Sequence, residues 1–235
     1  MQTLKNEQLT IEVSEHGAEL QSIRKDAYEY LWQGDPAFWG RRSPVLFPIV
    51  GSVWEKCFRV DGKVYEMGQH GFARDLDFEL VSHSETEVWY RLESSEKTLS
   101  AYPWPFVLEI GYRLEGNSVT VLWKVTNPGE SEMYFQIGAH PAFNYPDYDP
   151  ETPDRGVVEF DRNENLQRSG FKGKGCVDPE ARFPMPVSED GRVRLKRDTF
   201  DDIDTLMFED NQVHRIAFLK CDGNQYLTVS FDAPV

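Results

Sequence analysis

Cysteine is scarce in this chain: Cys57, Cys176 and Cys221 are the only three in 235 residues, widely spaced and with no Cys-x-x-Cys pair. That excludes a disulfide framework and a zinc knuckle, and reduced thiols suit a cytosolic protein. Positive charge is short as well. Lys and Arg number 25 against 40 Asp and Glu, giving a net charge of −15 and a pI near 4.8. Such a chain repels nucleic acid and anionic membrane, so neither is expected as a partner. No apolar run approaches the ~18 residues of a membrane helix, and Met1–Glu7 has no apolar core of signal-peptide length. The expectation is a soluble, cytoplasmic protein. Also missing are a phosphate-cradling glycine loop, a Gly-x-Ser-x-Gly elbow, internal repeats, low-complexity tracts and any sustained helical stripe. These absences remove nucleotide-binding and serine-hydrolase readings.

Hydrophobic residues make up 40% of the chain and aromatics 13%, enough for a large core. Period-two alternation recurs at Leu9-Ile11-Val13, Ala18–Ile23, Phe78-Leu80, Val88-Tyr90-Leu92, Phe106–Leu114 and Val119–Val125, with Glu115-Gly116-Asn117 as a hairpin turn. Met133-Phe135-Ile137, Val157-Glu159-Phe160, Leu206-Met207-Phe208, Ile216-Phe218 and Tyr226–Phe231 continue the strand pattern, whereas 145–156 and 170–186 read as loops. The aromatic segment Tyr30–Trp39 reads as a loop over a pocket. Arg42–Gly51, with Pro44 and Pro48, reads as an extended apolar segment buried somewhere irregular. The sum is an all-β chain, one antiparallel β-sandwich domain over 1–235.

Candidate chemistry gathers at two strand–loop junctions. Gln69-His70-Gly71-Phe72-Ala73-Arg74 sets an imidazole and a guanidinium four residues apart around a glycine, and His140 closes the run Gly138-Ala139-His140-Pro141-Ala142-Phe143-Asn144. With the acids Asp201, Asp202 and Asp204, they offer groups that move protons, hold an oxygen and grip vicinal hydroxyls. Aromatics such as Trp32, Trp39, Phe72 and Phe143 supply faces for a sugar ring, or simply pack the core. No His-x-His or His-x-x-x-His pair supports a metal site, and no cofactor is expected. His16, His83 and His214 read as solvated. Of Arg41 and Arg42, which precede the buried apolar run, one is expected in the pocket.

Three strings, Pro44-Val45-Leu46-Phe47-Pro48-Ile49-Val50-Gly51, Gln69–Arg74 and Gly138–Asn144, in this order and spacing, resemble the aldose 1-epimerase (galactose mutarotase) family, in particular its LacX-like branch. The likeness runs from the first strands to the last residue. It implies the galactose mutarotase-like supersandwich fold and interconversion of the α and β anomers of a free aldose by ring opening. It further implies that His140 is the acid protonating the ring oxygen and that His70 binds and polarises the sugar oxygens. Arg74 is similar to the arginine of relatives that act on hexose 6-phosphates. Asp204, with Asp202 as its alternative, corresponds to the aspartate that bonds sugar hydroxyls. Arg42, Gln69 and Phe143 complete the expected substrate contacts, and the expected partner is a monosaccharide or sugar phosphate.

The chain departs from the family pattern twice. Gly51-Ser52 stands where many relatives have Gly-Arg, so Arg42 or Arg74 is expected to take that role. The family's general base is a glutamate of a later strand, so the resemblance places that base, and the last strands of the sandwich, beyond Val235. An alternative expectation is therefore a carbohydrate-binding or regulatory module that keeps the pocket without turnover. A third is a sugar lyase or glycoside-processing domain, which would need a further carboxylate or tyrosine opposite the histidines.

Overall fold

In the computed structural model the described residues are 1–146, 148–162, 164–172, 176–185, 187–188, 191–201, 205–210 and 212–232. Their contacts divide the chain into two compact units, 1–144 and 145–235. Strands dominate both, all named sheet pairings are antiparallel, and the one described α-helix is a single short piece, Glu96–Ala101. The protein is all-β, as the alternation implies.

The first unit begins with a meander of β1 (Gln2–Lys5), β2 (Thr10–Val13), β3 (Leu20–Lys25) and β4 (Tyr28–Glu29). A two-residue strand β5 (Val45–Leu46) and a hairpin of β6 (Cys57–Val60) and β7 (Lys63–Glu66) follow. A second four-stranded sheet is built from β8 (Glu79–His83), β9 (Glu87–Glu93), β10 (Val107–Glu115) and β11 (Ser118–Thr126), in the order β11-β10-β9-β8. Strand β12 (Gly138–Ala139) then returns to pair with β5. Leu4, Ile11 and Val13 of the first sheet share one core with Val88, Tyr90, Leu108, Ile110 and Tyr112 of the second. Two buried hydroxyls tie the sheets together: Tyr90 donates to the Val13 carbonyl (3.2 Å) and Tyr112 to that of Ala18 (2.7 Å).

On its other face, β10 carries Gly111, where an added Cβ would meet the Trp89 ring at 2.7 Å, so the indole lies flat across the strand. Beside it Glu109 is held by Arg91 (3.1 Å) and Lys124 (2.5 Å). These ion pairs hold its carboxyl below the ordinary carboxylate range, chiefly through the bond from Lys124.

The second unit contains β13 (Asp154–Phe160), a hairpin of β14 (Gln167–Phe171) and β15 (Val177–Pro184), then β16 (Arg192–Lys196), β17 (Arg215–Leu219) and β18 (Gln225–Ser230). Its four-stranded sheet has the order β16-β13-β17-β18, over a core of Val158, Phe160, Leu166, Met185, Val193 and Val213.

Several local expectations are corrected. Residues 133–137 are not a strand, because only Gly138 and Ala139 reach a partner. Segment 170–186, expected as loop, contains most of the β14–β15 hairpin. Residues 205–208 form no strand, although the Met207 carbonyl accepts the Ser169 N–H. The helix at Glu96 is capped by Ser95, whose side chain accepts the Thr98 N–H while Thr98 Oγ1 accepts the Ser95 N–H.

Candidate active site

The loop from Gly68 to Asp75 is built onto the Pro44–Gly51 segment. The Phe47 carbonyl accepts the N–H groups of Phe72 (3.0 Å) and Ala73 (3.1 Å). Gly71 sits at φ +69°, and a Cβ there would fall 2.2 Å from that carbonyl oxygen, so no side chain fits. The turn forces His70 to φ +66°, a left-handed conformation that histidine tolerates better than most residues. Gly51 holds it there. The His70 N–H donates to the Gly51 carbonyl (2.8 Å), and the Gly51 N–H donates to His70 Nδ1 (3.0 Å). A backbone N–H can only donate, so Nδ1 must accept, and the proton of the neutral imidazole is left on Nε2.

His140 arrives from the neighbouring segment. After the β5–β12 pairing, the His140 N–H donates to the Pro44 carbonyl (3.1 Å) and that of Ala142 to the Arg42 carbonyl (2.9 Å). This zipper places the His140 ring 5.7 Å, centroid to centroid, from His70, with the planes at 70°. The Trp39 ring packs on His140 at 5.2 Å. Trp39 closes a turn in which the Asp35 carbonyl accepts the N–H groups of Phe38 and Trp39, and the Trp39 carbonyl accepts Trp32 Nε1–H (2.8 Å). At the tip of that turn Phe38 is 83% exposed.

Cations crowd the His70 side. Arg74 donates to the Gln69 carbonyl (2.8 Å), while its Nε is buried, makes no hydrogen bond and stands 3.9 Å from the Asp75 carboxylate. Arg41 bonds the other Asp75 oxygen (2.7 Å). Burial, and then the charge of Arg41, lower the Arg74 pKa, with Asp75 and Glu19 opposing. His70 is pushed down to about 4, first by burial and then by the charges of Arg74, His140 and Arg41. At neutral pH it is therefore an uncharged Nε2–H donor, whereas His140 stands exposed beside it.

Of the residues singled out in the sequence, His70, His140 and Arg74 form one cluster with Trp39. Gln69 joins it through its backbone. Arg42 sits apart: its Nη1 donates to the Gln21 carbonyl (2.7 Å), and its N–H and that of Ser43 both donate to buried Glu19 (2.9 and 2.8 Å). Arg41, not Arg42, is the arginine whose charge His70 feels. Phe143 bridges to Leu31 and packs on the core. Asp204 and its alternative Asp202 lie outside the described residues. Among the described residues no three His, Cys, Asp or Glu side chains gather as a metal site. His16 bonds Asp77 (2.8 Å) and His83 approaches the Thr3 carbonyl (3.3 Å), both at the surface. The tie from Gly51 to His70 was not foreseen, since nothing in the local sequence marks a backbone donor reaching across 19 positions.

A family model, Aldose 1-epimerase, matches residues 1–215. The chain belongs to the aldose 1-epimerase family. It is 36% identical over 191 residues to the chromosomal and plasmid LacX proteins of Lactococcus lactis subsp. lactis; the match covers 77% of this chain but 64% of each LacX protein. Among solved structures, the galactose mutarotase related enzyme of Lactobacillus acidophilus superposes with a TM-score of 0.86 at 31% identity, covering 94% of this chain and 73% of that one. A galactose mutarotase-like protein of Lactobacillus casei gives 0.86 and 31%, covering 94% and 76%.

Proposed function

We propose that this family member binds a free hexose or hexose phosphate between His70 and His140 and interconverts its α and β anomers without a cofactor. The observation that carries the reading is the pair of imidazoles 5.7 Å apart, His70 half-buried and held neutral, His140 exposed. One small polyol can touch both. His70, held neutral, offers Nε2–H to a sugar oxygen and polarises it without giving up its proton. His140 passes a proton to the ring oxygen as the bond from that oxygen to the anomeric carbon breaks. The proton of the anomeric hydroxyl leaves to a base, and the electron pair of that O–H becomes the aldehyde π bond. Rotation about the next carbon–carbon bond and re-closure give the other anomer. The resemblance assigns the base to a family glutamate and the grip on sugar hydroxyls to Asp204. Arg74 Nε, a buried donor with no hydrogen-bond acceptor, suits a sugar or phosphate oxygen, since leaving such a donor unpaired costs about 1–3 kcal/mol.

NMR saturation transfer between the anomers of glucose, galactose and glucose 6-phosphate tests this. Exchange faster than the spontaneous rate, lost in His140→Ala, is the expected result; no acceleration by the protein overturns it. Sugar binding by calorimetry without exchange would favour the binding-module reading.

A further inference from the structure

The two histidines ride on separate segments, and one side chain connects those segments. Gln136 lies two residues before β12 and four before His140. Its own N–H donates to the Pro48 carbonyl (2.8 Å), while its Oε1 accepts the Val50 N–H (3.0 Å). The next residue, Gly51, grips His70 through the two peptides that flank its Cα, accepting the His70 N–H on its carbonyl and donating its own N–H to His70 Nδ1. His70, at φ +66°, holds an uncommon backbone conformation for a residue with a side chain, one that persists only where neighbours fix it, whereas Gly51 adopts its φ of +75° without strain. Val50 also packs toward β12, where an added Cβ on Gly138 would meet its Cγ2 at 3.2 Å.

We propose that Gln136 is a positioning residue for His70: by holding residues 48–50 against the segment that carries His140, it aims the Gly51 N–H at His70 Nδ1 and so fixes both the tautomer of His70 and its place beside His140. The side chain bonds the Val50 N–H and acts through Gly51. An acceptor at position 136 is what the role requires. If the Val50 N–H lost it, the 49–51 turn would be free to rotate the Gly51 amide away, and His70 would then choose its tautomer by its other neighbours, the charges of Arg74, Arg41 and His140.

The inference deepens the sugar-site reading, but its first test needs neither sugar nor turnover. Imidazole 15N NMR of the free chain should show His70 as one tautomer, protonated at Nε2, and hydrogen exchange should show the Val50 and Gly51 amides protected. Gln136→Met, similar in shape but without an oxygen acceptor, should give a mixed tautomer population and a His70 titration midpoint nearer the ordinary value. Gln136→Glu, which keeps an acceptor, should restore the single tautomer. A Gln136→Met chain with an unchanged His70 tautomer and midpoint overturns the proposal. So does a Val50 amide that exchanges freely in the unsubstituted chain, a result that stands even where the variant does not fold. Where anomer exchange is measurable, Gln136→Met should lower kcat about five- to tenfold with KM nearly unchanged, the loss expected when one hydrogen bond of ordinary net strength stops orienting a group.

Discussion

A histidine whose Nδ1 already accepts a backbone N–H has one place left for its proton, and at His70 burial and the neighbouring charges, that of Arg74 foremost, oppose a second. Stability should therefore depend on pH. The unfolded chain takes a proton on this residue near pH 6.5, whereas the folded chain holds out to about 4, so the unfolded state binds more protons between those values. His70's contribution is fully present above pH 6.5 and declines as pH falls toward about 4. Urea unfolding at pH 7.5 and 4.5 checks this: His70→Gln should lose less stability on acidification than the parent chain, and equal losses would remove His70 as the cause. His140 has the opposite setting, exposed and next to Trp39. In the proposed mechanism, His140→Ala lowers exchange about 10²–10⁴-fold, the usual size of a general-acid contribution, with the fold intact by circular dichroism. The imidazoles and Arg74 were legible because His-Gly-Phe-Ala-Arg and Gly-Ala-His-Pro are dense local strings. The choice between Arg41 and Arg42 was not, because adjacent residues in an extended segment point opposite ways and only Glu19 and Gln21, far upstream, decide which is drawn inward.

The element that makes the site is the Arg42–Gly51 segment, which receives the His70 loop through the Phe47 carbonyl and the His140 strand through β5. Its polar backbone is satisfied by unlike partners, among them buried Glu19, which accepts two successive N–H groups. Glu19→Ala leaves both donors without that acceptor, and thermal unfolding should show a loss of about 2–4 kcal/mol. Gly71→Ala should do at least as much, about 2 kcal/mol or more, because a positive φ and a backbone contact oppose the methyl group together. A Tm within a degree of the parent's would count against the tight approach of Gly71 to Phe47. At this scale the sequence spoke clearly where alternation was long: β9, β10 and β11 fall where it placed them, with the hairpin at Gly116. It misled where alternation meant docking without pairing. Met133 and Ile137 pack on the core, yet the backbone between them spends its hydrogen bonds on Pro48 and on the Tyr102 hydroxyl. It also misled at β14 and β15, where Gly170, Pro179 and Pro184 read as loop and the ladder carries a register shift at Ser169/Gly170.

Over the whole molecule a net charge of −15 surrounds a site edged by Arg41 and Arg74. Two partly buried arginines sharing Asp75 in an anionic protein should bind charged ligands in a salt-dependent way and neutral ones with little dependence. Raising ionic strength from about 0.01 to 0.15 M shortens the screening length from ~30 to ~8 Å, so affinity for a hexose 6-phosphate should change over that range while affinity for the free hexose stays level. Identical salt responses would detach the two arginines from ligand binding. Fold class was readable at this scale because period-two alternation recurs along most of the chain, and the family resemblance extended what the local patterns left open. Whether His70 and His140 serve one sugar can be seen by following both imidazole 15N signals while an aldose is titrated into the protein. If they do, the two sets of signals shift together along one saturation curve and neither responds to a polyol without a ring oxygen; a sugar that moves one histidine and leaves the other untouched would overturn the shared site.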